Sequence, residues 1–149
     1  MRALMLLVAT LILSNAVHAD SKMITKQSSH SVAITMDRLE AVVKEKGIAV
    51  VARVDHAGAA QKVGLPLKPT QLLIFGNPKL GTPLMQSNPQ AGLDLPLKAL
   101  VWEDAAGAVW LGYTAPADLA ARHQIGNRAE VVKKMGEVLD ALTTQATKP

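Results

Sequence analysis

The stretch Pro69-Thr-Gln-Leu-Leu-Ile-Phe-Gly-Asn-Pro-Lys-Leu-Gly-Thr-Pro-Leu-Met85 places the tightest constraint on the fold. Gln71 to Phe75 is an apolar run of strand length, and Gly76-Asn77-Pro78 breaks it. Asn77 suits a helix N-cap, because its side-chain oxygen can accept from a free first-turn amide. Pro78 suits the first helical position, where a missing amide proton costs nothing. The stretch therefore specifies a strand, a sharp turn and a helix. Pro83 leaves two options open: one distorted helix, or a fresh start with Thr82 as cap and Pro83 first.

The rest of the chain supplies elements to pack around this turn. Residues 21–31 contain a first edge strand around Met23 and Ile24. Thr35 opens a helix whose apolar positions Met36, Leu39, Val42 and Val43 share one face, and Gly47 closes it. Ile48 to Val54 is nearly all β-branched residues and alanine, the pattern of a strand covered on both faces. Asp55 caps a short helix over 57–63, ended by Gly64. Leu65-Pro66-Leu67-Lys68-Pro69 is an extended crossing, and Pro89, Gly92 and Pro96 mark a second one.

Leu97 to Glu103 and Ala108 to Thr114 form a hairpin around Asp104-Ala105-Ala106-Gly107. Pairing Glu103 with Ala108 puts Trp102 on one face with Val109, Leu111 and Tyr113, and Trp110 on the other with Val101, Ala99 and Leu97. Both faces are then apolar, so the one not under helices needs a cover, such as a second copy or a ligand. Pro116 to His123 is a short helix and Asn127 to Leu142 a long one. Asn127 and Glu130 outline a capping box, and Val131, Met135, Val138, Leu139 and Leu142 form a stripe. The tail frays from Thr143.

The N-terminus sets the expected compartment. Met1-Arg2, an apolar run from Ala3 to Leu13 and Val17-His18-Ala19 outline a cleaved secretory signal peptide over residues 1–19. Its apolar run is shorter than the roughly 20 residues of a membrane span. A single mature domain over 20–149 is expected in the periplasm or outside the cell, with no stable membrane insertion. It carries 15 basic and 12 acidic residues and no cysteine, so its core must hold it without disulfides. Dispersed cations and only four aromatics, Phe75, Trp102, Trp110 and Tyr113, argue against nucleic-acid binding.

Candidate chemistry is sparse. Gly76, Gly81 and Thr82 have the outline of a phosphate loop, but the lysine that should precede the hydroxyl is missing and Pro78 removes a cradling amide. Asp55 and His56 are an acid and an imidazole adjacent in sequence, the material for a small hydrolase or lyase, yet neighbours on an extended chain point apart. His56, His123 and Met85 offer imidazole and thioether ligands suited to copper or haem iron, without a recognised metal spacing. Neither cysteine nucleophile nor serine elbow is present. The element ends nominate one pocket wall from Phe75, Asn77, Pro78 and Met85, with Asp55-His56, Asp94-Leu95-Pro96 and His123 beside it.

Together Asp55-His56, Pro69-Thr70, Leu72-Leu73-Ile74-Phe75-Gly76-Asn77-Pro78, Gly81-Thr82-Pro83-Leu84-Met85, Asp94-Leu95-Pro96-Leu97-Lys98 and Trp102-Glu103-Asp104 resemble the bacterial family of domain of unknown function 302. The likeness runs from about Thr35 past His123. It implies an α+β two-layer sandwich with helices on one side of a mainly antiparallel, curved sheet, related to the TATA-binding-protein type of fold. It also suggests self-association and supplies no catalytic residues. The expectation is an exported binding or interaction module, taking a small ligand or pairing as a homodimer through the hairpin face.

Overall fold

In the computed structural model, residues 23–149 are described; the expected signal peptide lies outside them. Strand β1, Met23–Ser28, leads to helix α1, Val32–Glu45. The helix starts three residues before the expected Thr35, because the Ser31 hydroxyl accepts from the Ile34 amide and caps it. Thr35 is instead buried inside the first turn, its hydroxyl donating to the Ser31 carbonyl at 2.8 Å. Met36, Leu39, Val42 and Val43 are buried as the helical spacing requires.

Strand β2, Ala49–Asp55, and helix α2, His56–Lys62, come next, then β3, Thr70–Gly76, and α3, Pro78–Ser87. Asn77 caps α3 by accepting from the Lys79 amide, and the helix runs unbroken through Pro83, which settles the option left open above. A 3-10 turn, Pro89–Leu93, follows. The hairpin strands are β4, Leu97–Glu103, and β5, Val109–Thr114. Helices α4, Pro116–Arg122, and α5, Ala129–Thr147, end the chain.

Among the described residues, the five strands join in one antiparallel sheet of order β1-β5-β4-β3-β2. Its inner face presents Leu73, Phe75, Ala99, Val101, Leu111 and Tyr113, all buried against a layer that includes α1 and α5. The architecture is an α+β two-layer sandwich. Among the described residues, no helix is long and apolar enough to cross a membrane.

Three expectations fail for tertiary reasons. β2 is an edge strand, not one covered on both faces: Val51 is 60% exposed at a register shift between Val50 and Ala52. That bulge turns Arg53 toward α1, where it meets Asp37 at 2.6 Å and Glu40 at 3.3 Å, a charge that also guards the edge. The capping box at Asn127 is not the helix start: α5 begins after Arg128 with no side-chain cap. Nor does α5 fray at Thr143. Thr143, Ala146 and Thr147 are buried, and Arg38 donates to the carbonyls of Gln145 at 3.1 Å and Lys148 at 2.9 Å.

The hairpin register is shifted by one residue from the expected pairing. Glu103 faces Val109, so Trp102 faces Trp110 and both indoles lie on the outer face of the sheet. The cause is a loop one residue longer, Asp104 to Ala108. Its Asp104 carboxylate accepts from the amides of Ala106 and Ala108, both at 2.9 Å, and from the Trp110 indole at 2.8 Å. Those bonds, the indole's first, hold the Asp104 carboxyl below its ordinary pKa. Gly107 takes the left-handed conformation the loop needs, φ 84°.

Candidate functional site

The end of β3 does form a pocket wall. A cavity of about 500 Å³ opens beside Phe75, Gly76, Asn77 and Pro78. Its other walls are Ile48, Ala49 and Val51 from the start of β2; Leu80, Gly81, Thr82 and Met85 from α3; Gly92 to Leu97 in part; and Met135 and Val138 from α5. It lies where the end of β3 meets the start of β4, Phe75 opposite Leu97, with α3 leaving the sheet at the Asn77 cap and packing on the 3-10 turn and α5.

The lining is apolar. Among the described residues no charged side chain contributes to it, and the polar side chains are those of Asn77 and Thr82. The Asn77 oxygen is committed to the Lys79 amide at 2.9 Å, which leaves its NH2 group as the side chain's remaining donor capacity. Small residues hold the space open. A methyl group added at Gly81 would contact Leu95 at 3.6 Å, and one at Gly92 would contact the Met85 sulfur at 3.5 Å.

Of the residues nominated from sequence, Phe75, Asn77, Pro78, Met85 and Pro96 meet in this lining. Asp94 and His123 lie just behind it, bonded to one another. The His123 Nε2 and an Asp94 carboxylate oxygen are 2.6 Å apart, and Arg122 donates to both Asp94 oxygens at 2.9 and 3.0 Å. Partial burial pushes the Asp94 carboxyl up, but the His123 hydrogen bond and the Arg122 charge outweigh it and hold the group below its ordinary range. Asn88 holds the backbone at this end of α4 by donating to the His123 carbonyl at 2.8 Å.

Asp55 and His56 do not join this group. Asp55 pairs with Gln71, at the opposite end of β3 from Gly76, about 16 Å of strand away. Its carboxylate caps α2 by accepting from the Gly58 amide at 2.9 Å, and it borders a different, more open depression with Pro66 and Leu67. The ligand set His56, His123 and Met85 is therefore not assembled, since β2 and β3 run antiparallel and separate His56 from the other two. Among the described residues, no group of three or more histidine, aspartate or glutamate side chains is placed to hold a metal ion.

Sequence reasoning missed the deeper walls, Ile48, Leu80, Met135 and Val138. The α5 pair sits in a stripe at helical spacing, and nothing local tells a core contact from a cavity contact.

The fold and sequence both have relatives. The crystal structure of an uncharacterized conserved protein DUF302 from Bacillus stearothermophilus superposes with a TM-score of 0.75 over 83% of this chain and 97% of that one, at 23% identity. Fluoride-specific ion channel FluC 1 of Brucella suis is 50% identical over 115 residues, 77% of this chain but 45% of that protein. The protein of the same name from Brucella abortus is also 50% identical, over 43% of its length. The chain thus spans less than half of these Brucella relatives. The family described as domain of unknown function DUF302 matches residues 24–142, and the chain belongs to that family.

Proposed function

We propose that the chain is a binding module whose ligand is a small, largely apolar molecule seated in the cavity beside Phe75-Gly76-Asn77-Pro78. The observation that carries this reading is the lining itself: about 500 Å³ of space with no charged side chain on its walls among the described residues. That volume falls in the range of about 300–1,000 Å³ usual for small-molecule sites. A carboxylate or ammonium group seated deep there would lose its hydration with no counter-charge in return. Asn77 and Thr82 can orient one neutral polar group of the ligand. Asp94 is committed to both His123 and Arg122, so the reading assigns Asp94 and His123 a structural role and includes no catalytic step.

The test is native mass spectrometry of protein purified from an exporting host, with titration of an uncharged environment-sensitive dye. Retained mass, or saturable dye binding weakened at least tenfold by Met85→Trp, supports the reading. Absence of both overturns it. The same spectrum tests export, since a mature chain starting at Asp20 is expected.

The Brucella relatives favour a second, compatible reading. They match 115 residues of this chain over less than half of their own length, and no helix among the described residues here is long and apolar enough to cross a membrane. We infer that in those proteins the matched stretch accompanies the membrane part rather than forming it, and that this chain is a separate counterpart of such an accessory module. Deleting the shared stretch from the Brucella suis protein should alter fluoride release from vesicles; unchanged release removes this reading. Self-association through the outer sheet face, where Leu72, Ile74, Leu100, Trp102 and Trp110 are half-buried, would show as a dimer in sedimentation that Trp110→Lys dissolves.

A further inference from the structure

Two side chains at the cavity are exposed in a way that ligand binding does not use. Val51, thrown out of the ladder by the β2 bulge, lines the cavity yet is 60% exposed. Leu93 follows the lining residue Gly92 on the 3-10 turn and is 82% exposed. Single exposed aliphatics are ordinary, but these two adjoin the same cavity and share its charge setting.

That setting is positive. Lys79 is exposed in the first turn of α3, next to the lining residue Pro78. Lys98 follows Leu97 and folds over the carbonyls of Asp94 and Pro96 at 3.3 and 3.2 Å. No acidic residue occurs between Gln71 and Leu93, and the Asp94 carboxylate is ion-paired with Arg122 at 2.9 Å. On α5, Lys134 and Glu137 lie on either side of Met135 in sequence and carry opposite charges, as do Glu45 and Lys46 just before Ile48. Aliphatic side chains beside uncompensated lysines are what an anionic bilayer surface holds: the former enter the headgroup layer and the latter meet the phosphates.

We propose that the cavity mouth docks on an anionic lipid surface, with Leu93 and Val51 entering the headgroup layer and Lys79 and Lys98 lying over the lipid phosphates. The proposal builds on the cavity reading, because a mouth turned to the bilayer exchanges an apolar ligand without exposing it to water.

Flotation of the full chain with vesicles of phosphatidylglycerol and phosphatidylcholine, and with phosphatidylcholine alone, tests it. Binding to the anionic vesicles that weakens with added salt is expected. Leu93→Asp should reduce it by about tenfold or more, and Lys79→Ala and Lys98→Ala by about fivefold each. These positions are exposed, and thermal melting of each variant checks that its fold is retained. No binding to anionic vesicles overturns the proposal, as does binding that the three variants leave unchanged. Self-association lost in Leu93→Asp, with no vesicle binding in the wild type, overturns it in favour of a protein partner. Dye uptake in vesicle-free buffer reads the cavity separately, so failed docking with intact uptake removes the docking and leaves the cavity reading standing.

Discussion

The Trp102 ring lies against Gly112, so close that a methyl group on residue 112 would meet two ring carbons at 3.0 and 3.1 Å and the Met23 sulfur at 3.0 Å. The bare backbone of β5 is what allows an indole from β4 to lie across the outer face. Gly112→Ala should therefore push the ring away and destabilise the fold by about 1–2 kcal/mol, an overpacking cost. Urea midpoints and tryptophan emission measure it. In the Trp102→Ala background the same change should cost much less; equal costs in both backgrounds would refute the contact.

Asp94 predicts an acid-sensitive contribution to stability. Its folded pKa is depressed by His123 and Arg122 against the effect of burial. The contribution is therefore fully present above the unfolded value of about 3.9 and is lost as pH falls through the lower folded value. Asp94→Asn should lower stability near neutrality by about 1 kcal/mol, the modest value reflecting partial solvation of the pair. The gap between variant and wild type should close as pH falls below about 4, read from urea midpoints at stepped pH. A gap that stays constant with pH would show that the carboxylate charge is not what matters.

The C-terminal turn of α5 should matter more than its position suggests. A chain ended at Leu142 loses the buried Thr143, Ala146 and Thr147 and the carbonyls that Arg38 and the Ser29 amide use. A loss of about 2–4 kcal/mol is expected from the exposed apolar surface and the orphaned donors. Unfolding by urea would detect it, and a stability loss under 0.5 kcal/mol would be the signature of a frayed tail.

Gly136 offers a stabilising change. It lies inside α5 with nothing within 4 Å of an added methyl group. Gly136→Ala should raise stability by about 0.5–1 kcal/mol by restricting the unfolded chain and favouring the helix. Thermal melting checks it, and dye binding should not change, because Gly136 is not part of the cavity lining.

Local chemistry made much of the fold legible. The Asn77 cap with Pro78 first in α3, the Asp55 cap of α2 and the apolar stripe of α1 each depend on residues within a turn of one another. Strand ends could be paired with helix starts for the same reason, and five of the nine nominated site residues do line one cavity. The strand partners could not be read in this way. Ile48 to Val54 has the composition of an interior strand, and only its place at the end of the strand order among the described residues makes β2 an edge.

The sequence by itself determined the order of the elements and the caps at Asp55 and Asn77, because those rest on contacts a few residues apart. Only the tertiary structure decided the hairpin register, the separation of His56 from His123 and the burial of the α5 terminus. Each depends on partners far along the chain. Moving Glu103 from Ala108 to Val109 changes one loop residue, yet it carries both tryptophans to the same face of the sheet. The cavity follows the same logic: Ile48, Phe75, Leu97 and Met135 become neighbours only when three strand ends and α5 are packed together.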